Sequence, residues 1–442
     1  MKYRVAMFRE KPSKRSLTLN KNSLLLAVSV LPVLVTLLIL GGDIPDPDRN
    51  AHDMWANQLV NTGRLTISQQ GTYDDWQIYY PNTVPKPLEL LTGILRVPGG
   101  IFYHSVITLL SAVLVLAAAW YSAGRGRIGL EAALFLGFNP VFVFLCVRGS
   151  SAIPFLGAMF LLQSVKTSNA GALIASLARP EGFIYSGYHC IRNRNWKLLA
   201  LLGTIGIAWL AFHKITCGSF SWAADEVKFS VAAMDYPTTN LVTFFPWAGL
   251  RSILILGAPA AALLLVTFSK WKQRTPFSLN FLLLAFSLAM GSLVLPRYID
   301  QLFLIATPFL FLEIGRSFKG RTRTVVAIAA IVFPSFQWIS TIPEIRQYER
   351  LREIYQSFEL PKEGITATNE LLIPGFCLSL GIDDPTGRFI SVDKAAWSHG
   401  SEAELLEFGV TQVVIVPVGV YFPLHTKEWL ETVENLDVKY FR

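Results

Sequence analysis

Carboxylates crowd the start of the stretch 42–98, which holds Asp43, Asp46, Asp48 and Asp53, and a lysine, Lys86, stands near its end. Asp46-Pro47-Asp48 sets two acids two residues apart. Such a pair can hold a divalent cation through oxygen, or one member can act as a general base. Asp48 also precedes an expected helix over 50–62, where an aspartate caps exposed backbone N–H groups. Lys86 lies in the turn Pro85-Lys86-Pro87-Leu88; it offers a point charge to a phosphate, or snorkels toward water. Far downstream, Arg297-Tyr298 carries a guanidinium that can grip a phosphate with two hydrogen bonds or pair with Asp300. His52 is the one histidine of six within 42–98, and with no second at ligand spacing it reads as a polar residue, not a metal ligand. The stretch is too long for a connector. Its Trp55, Tyr73, Trp76, Tyr79 and Tyr80 argue that it folds. An acidic loop closed by one lysine reads as a reaction site.

The elements that hold these residues are membrane helices. Apolar residues make up 52% of the 442, charged residues 16%, and the mean hydropathy is +0.42. A soluble domain carries about 25% charge. Several apolar runs reach the ~20 residues that cross a hydrocarbon core. The net charge of +8 does not point to nucleic acid, because lysine and arginine gather on the cytoplasmic ends of such helices. Cys146, Cys190, Cys217 and Cys377 show no paired or metal-ligand spacing and read as structural.

The basic loops set the expected topology. A basic tail over 1–22 stays inside, and the run 24–40 is a retained helix without a cleavage site. The acidic loop 42–98 then emerges outside. Crossings follow over 101–123, 128–147 and 152–165. The run 170–190 is long enough for one crossing, yet Lys166 before it and Arg192, Arg194 and Lys197 after it call for the same side. Arg179-Pro180-Glu181-Gly182 interrupts it midway, so two half-length helices are expected, entering and leaving together. Broken backbone at membrane depth lines a cavity, which makes Arg179 and Glu181 candidates too; Arg179 can equally be neutralised by Glu181. Further crossings at 197–215, 248–268, 277–295, 301–314 and 325–342, with an outer loop at 216–247, bring the total to about eleven segments over 23–343.

From residue 344 onward the apolar runs shorten. A helix is expected over 344–358, strands over 365–368, 389–392 and 412–416, and helices over 402–408 and 427–433. This alternation predicts a small extracytoplasmic α/β domain over 344–442, acting as a lid or docking module.

Together these stretches resemble the GT-C glycosyltransferases. The carriers are Asp48-Arg49-Asn50-Ala51-His52-Asp53-Met54-Trp55-Ala56-Asn57-Gln58-Leu59-Val60 followed by Gly63 and Leu65, then Lys86-Pro87-Leu88, Arg179-Pro180-Glu181-Gly182 and Arg297-Tyr298. The chain is most similar in pattern to the protein O-mannosyltransferases and the bacterial lipid A aminoarabinose transferases. It departs from the former at Asp48-Arg49, where an Asp-Glu pair is common, so Asp46 stays a candidate base beside Asp48. The resemblance implies a polytopic helical enzyme with an outer C-terminal domain. It also implies a polyprenyl-phosphate sugar as donor and a lipid, glycan or protein acceptor. The bacterial inner membrane is the simplest setting. Lys86, Arg297 and Tyr298 would then bind the donor phosphate, with Arg179, Glu181, Asp53 and His52 as further candidates. A divalent cation at Asp46 and Asp48 stays open, as does the rival reading of a carrier for lipid-linked saccharides.

Overall fold

The structure, a computed structural model, describes residues 21–42, 47–63, 87–96, 101–122, 127–150, 152–164, 166–179, 181–217, 318, 320–335, 338, 342, 346, 363–368, 389–391, 402–407, 409–415 and 433–440. The helices are α1 (Lys21–Ile39), α2 (Pro47–Thr62), α3 (Pro87–Arg96), α4 (Ile101–Ser122), α5 (Arg127–Phe138) and α6 (Pro140–Arg148). They continue as α7 (Ala152–Gln163), α8 (Ser168–Ala178), α9 (Glu181–Arg192), α10 (Trp196–Cys217) and α11 (Gly320–Ser335). The expected crossings at 248–268, 277–295 and 301–314, and the loop 216–247 beyond Cys217, lie outside the described residues.

Among the described residues, Tyr103–Ser122 of α4 is the one helix long and apolar enough to cross a membrane alone. Around it sits an apolar core that includes Val33, Leu116, Leu136, Phe142, Phe155 and Met159. The run 128–147 differs from expectation: it is two helices bent by 70° between Phe138 and Pro140, not one straight crossing. Asn139 explains the break. Its side-chain oxygen accepts from the N–H groups of Val141 (2.9 Å) and Phe142 (3.3 Å), and Pro140 opens α6 where no N–H is needed. Across the bend, Trp338 Nε1 donates to the Phe138 carbonyl at 3.1 Å. Helix α7 has 12 residues and reaches only about 18 Å, short of a ~30 Å hydrocarbon core.

The chain also breaks between Ala178 and Glu181, where Arg179 takes an extended conformation. Helices α8 and α9 then fold against each other as a hairpin. A side chain at Gly182 would strike the Ala175 carbonyl, and Ser186 Oγ donates to the Ala172 carbonyl at 2.7 Å. The two outer ends of the hairpin meet, because Asn195 Nδ2 donates to Asn169 Oδ1 at 3.2 Å. Elsewhere, Arg323 of α11 pairs with Glu131 of α5 at 2.9 Å.

The C-terminal residues form a four-stranded parallel sheet in the order β2-β1-β3-β4, with β1 Ile365–Thr368, β2 Phe389–Ser391, β3 Val410–Ile415 and β4 Asp437–Tyr440. The fourth strand is additional to those read from the sequence, and α12 (Glu402–Glu407) packs beside β3. The expected helices over 344–358 and 427–433 lie almost wholly outside the described residues. Ala367, Leu405, Val410, Val413 and Leu436 make a small core.

The turn into β4 is held by one carboxylate. Glu402 accepts the backbone N–H groups of Glu434 and Leu436, both at 3.0 Å, and that of Asn435. Desolvation pushes the Glu402 carboxyl up, but hydrogen bonds from Asn435, Glu434 and Leu436 outweigh it and hold the group below the usual glutamate value. A lowered folded value means this contact is fully formed above the ordinary carboxylate range and is lost as pH falls through the lowered value. The protection factors of the amides at residues 434–436, taken relative to the unfolded chain at the same pH, are therefore expected to fall on acidification in the native chain. In Glu402→Gln they should already be low at neutral pH and change little with acid.

Candidate active site

Ionisable side chains join helices α2 and α3. Arg49, His52, Asp53, Glu89, Arg96 and His104 are all buried, none more than 7% exposed. Both helices open on proline, Pro47 and Pro87, which suits the first helical position because no N–H is required there. Asp48 thus lies inside the first turn of α2, a correction to its expected place ahead of the helix as a cap. Between the helices, Gly93 brings α3 close. A Cβ there would lie 3.0 Å from both the Ala56 Cβ and the His52 carbonyl, and 3.3 Å from Asp53 Oδ1.

Asp53 is the centre of the network. Arg96 donates to its Oδ1 from both Nε (2.9 Å) and Nη2 (2.7 Å), while Arg49 Nε approaches Oδ2 at 3.4 Å. Arg49 Nη2 also meets His104 Nδ1 at 2.6 Å, and His104 Nε2 lies 3.2 Å from the Arg96 carbonyl. A guanidinium can only donate, so His104 Nδ1 accepts and Nε2 carries the proton toward that carbonyl. His104 is therefore neutral and clasps α4 to α2 and α3. Separately, His52 Nδ1 lies 3.0 Å from Glu89 Oε2. His52 thus faces a buried carboxylate on the neighbouring helix.

Arg49 also reaches a third element. It packs against Gly149, which closes α6 in the left-handed conformation (φ 69°). The closure is a Schellman turn: Gly149 N–H donates to the Cys146 carbonyl (2.8 Å) and Ser150 N–H to the Leu145 carbonyl (3.0 Å). A Cβ at Gly149 would come within 2.5 Å of Arg49 Cδ. Gly149→Ala is therefore expected to cost about 1–2 kcal/mol from backbone conformation alone, and more through displacement of Arg49. Thermal unfolding of the purified variant measures it.

These contacts assign roles. Asp53, gripped by two guanidiniums, is a clamp and not a free base. Asp48 lies in the first turn of α2 with its side chain outside the described residues, and Glu89 faces His52 from α3. Arg179 ends α8 half-buried and Glu181 begins α9. Asp46, Lys86, Arg297 and Tyr298 lie outside the described residues. Among the described residues no group of three or more His, Cys, Asp or Glu side chains is placed to hold a metal ion.

The sequence reading passed over Glu89, Arg96 and His104. Two charges seven residues apart in the otherwise apolar α3 were the available signal. Compared with known protein families, curated proteins and solved structures, the chain shows no match.

Proposed function

We propose that the chain is a polytopic membrane glycosyltransferase of GT-C type. It moves a sugar from a polyprenyl-phosphate donor to an acceptor hydroxyl, with inversion, at the outer face of the cytoplasmic membrane. The observation that carries this reading is the buried network joining α2, which bears Asp48 in its first turn, to α3, which begins one residue after Lys86. Acid–base and electrostatic catalysis require groups held on firmly joined elements, and this network joins the two helices.

Three contacts support the membrane arrangement. Asn169 and Asn195 touch, and both adjoin basic clusters that the charge rule puts inside. Glu131 and Arg323 pair, and each adjoins another inside loop. Arg49 packs on Gly149, and both stand at positions expected outside.

In this reading Asp48, or Asp46, removes the proton of the acceptor hydroxyl as it attacks the anomeric carbon. The bond to the lipid phosphate breaks, and its electron pair stays on the phosphate. Lys86 and Arg297 stabilise that growing charge, at about 3 kcal/mol per well-placed donor. The phosphate ester is already activated, so no nucleotide is consumed.

A carrier for lipid-linked saccharides is the second reading, favoured by the two broken helices at 139–140 and 179–181. Purified protein incubated with polyprenyl-phosphate sugars and an extract of acceptors separates the two. Sugar leaving the lipid supports the transferase, and transport of the intact lipid supports the carrier.

A further inference from the structure

We propose that the edge where the start of α8 meets the turn between α9 and α10 binds the headgroup of an anionic phospholipid in the cytoplasmic leaflet. The inference rests on the membrane placement above and not on the transferase chemistry. Four exposed cations stand there: Lys166 before α8, Arg192 at the end of α9, Arg194 in the turn and Lys197 at the start of α10. Asn195 fixes their arrangement. Its Oδ1 accepts the Leu198 N–H at 3.2 Å and so caps α10, while its Nδ2 donates to Asn169 Oδ1 of α8 at 3.2 Å.

The folding of these turns does not account for the cations. A positive charge stabilises the C-terminal end of a helix, which explains Arg192 alone. Lys166 and Lys197 stand instead at the N-terminal ends of α8 and α10, where the helix dipole repels them. Arg194 is the sharpest case. It holds a left-handed backbone at φ 54°, the conformation that Gly149 takes where α6 closes. Arg194 N–H donates to the Ile191 carbonyl (3.1 Å) and Asn195 N–H to the Cys190 carbonyl (2.8 Å), so the closure is again a Schellman turn. That position favours glycine, and the guanidinium adds nothing to the turn itself.

No acid offsets the four. Glu181 is the single Asp or Glu between Ser164 and Cys217, and it opens α9, about 18 Å from the far end of that helix. Among the described residues, none of the four cations forms an ion pair.

The same edge is apolar as well as basic. Trp196 is 60% exposed and Ile191 56% exposed beside the cations. About three turns beyond Trp196, Ile207 continues the exposed apolar face along α10. Tryptophan gathers at the level of lipid headgroups, and basic clusters at the cytoplasmic ends of helices bind anionic ones. Cations set above an exposed apolar face fit a phosphate with acyl chains beneath it. A polyanion in water would use the cations and leave that face bare.

The test uses the full chain purified in detergent, titrated with phosphatidylglycerol or phosphatidylcholine, with bound lipids counted by native mass spectrometry. Wild type is expected to prefer phosphatidylglycerol. Arg194→Gly and Lys197→Gln should each weaken that binding about fivefold and leave phosphatidylcholine unchanged. Glycine suits the left-handed turn, so Arg194→Gly should melt no lower than wild type in lipid-free detergent. Lys214→Gln, at the other end of α10, should bind both lipids as wild type does. Equal binding of the two lipids by wild type overturns the site, as does wild-type preference in Arg194→Gly. An equal loss in Lys214→Gln marks general charge attraction and overturns it too. Tighter binding of a short single-stranded RNA than of phosphatidylglycerol overturns the lipid assignment in favour of nucleic acid. A chain that stays dissolved without detergent removes the membrane placement itself, and the site with it. The readout involves no sugar transfer, so the site stands or falls apart from that reaction.

Discussion

Asp53→Ala is expected to destabilise the protein by about 3–5 kcal/mol, the cost of removing one partner from a buried ion pair. Two guanidiniums, those of Arg49 and Arg96, would stay in the interior without their shared carboxylate. Arg49 would then lose its place against Gly149, and His104 its donor, so one substitution disturbs α2, α3, α4 and the end of α6 together. Arg96→Lys is a milder test. It keeps a positive charge but cannot reproduce the paired Nε and Nη2 contacts to Oδ1. Thermal unfolding of the detergent-solubilised protein should rank wild type above Arg96→Lys, and Arg96→Lys above Asp53→Ala. Equal melting of all three would mean the network carries little of the fold.

Asp48→Asn should have the opposite profile. The amide fits the space of the carboxylate and leaves α2 intact, but it cannot accept a proton. Transfer is expected to fall by about 10²–10⁴-fold while melting stays at the wild-type value. Asp46→Asn beside it decides which acid is the base, since only the true base shows the full loss. The contrast with Asp53 matters. Two aspartates five residues apart on one helix are expected to divide the work, one for chemistry and one for architecture.

Much of this division was hidden in the sequence for physical reasons. The break at Arg179-Pro180-Glu181-Gly182 was legible because proline, glycine and two charges interrupt an apolar run whose flanks demand one side. The break at Asn139-Pro140 was passed over because the run from Ile128 to Val147 stays apolar on average, although an asparagine followed by a proline is a helix-start signal. Arg96 reads alone as an interfacial charge, and its partner Asp53 lies 43 residues earlier. His104 falls in a run that is apolar on average, so its link to Arg49 is a property of packing. The last strand, Asp437-Val438-Lys439-Tyr440, alternates polar and apolar over too few residues to stand out from a loop.

The most direct measurement uses a polyprenyl-phosphate hexose labelled separately on sugar and phosphate, supplied with acceptor to the protein in sealed vesicles. The account predicts that the two labels part: the sugar label moves to acceptor and the phosphate label stays with the lipid. In Asp48→Asn they should remain together. Labels that cross the bilayer still joined, in wild type as in the variant, would contradict it.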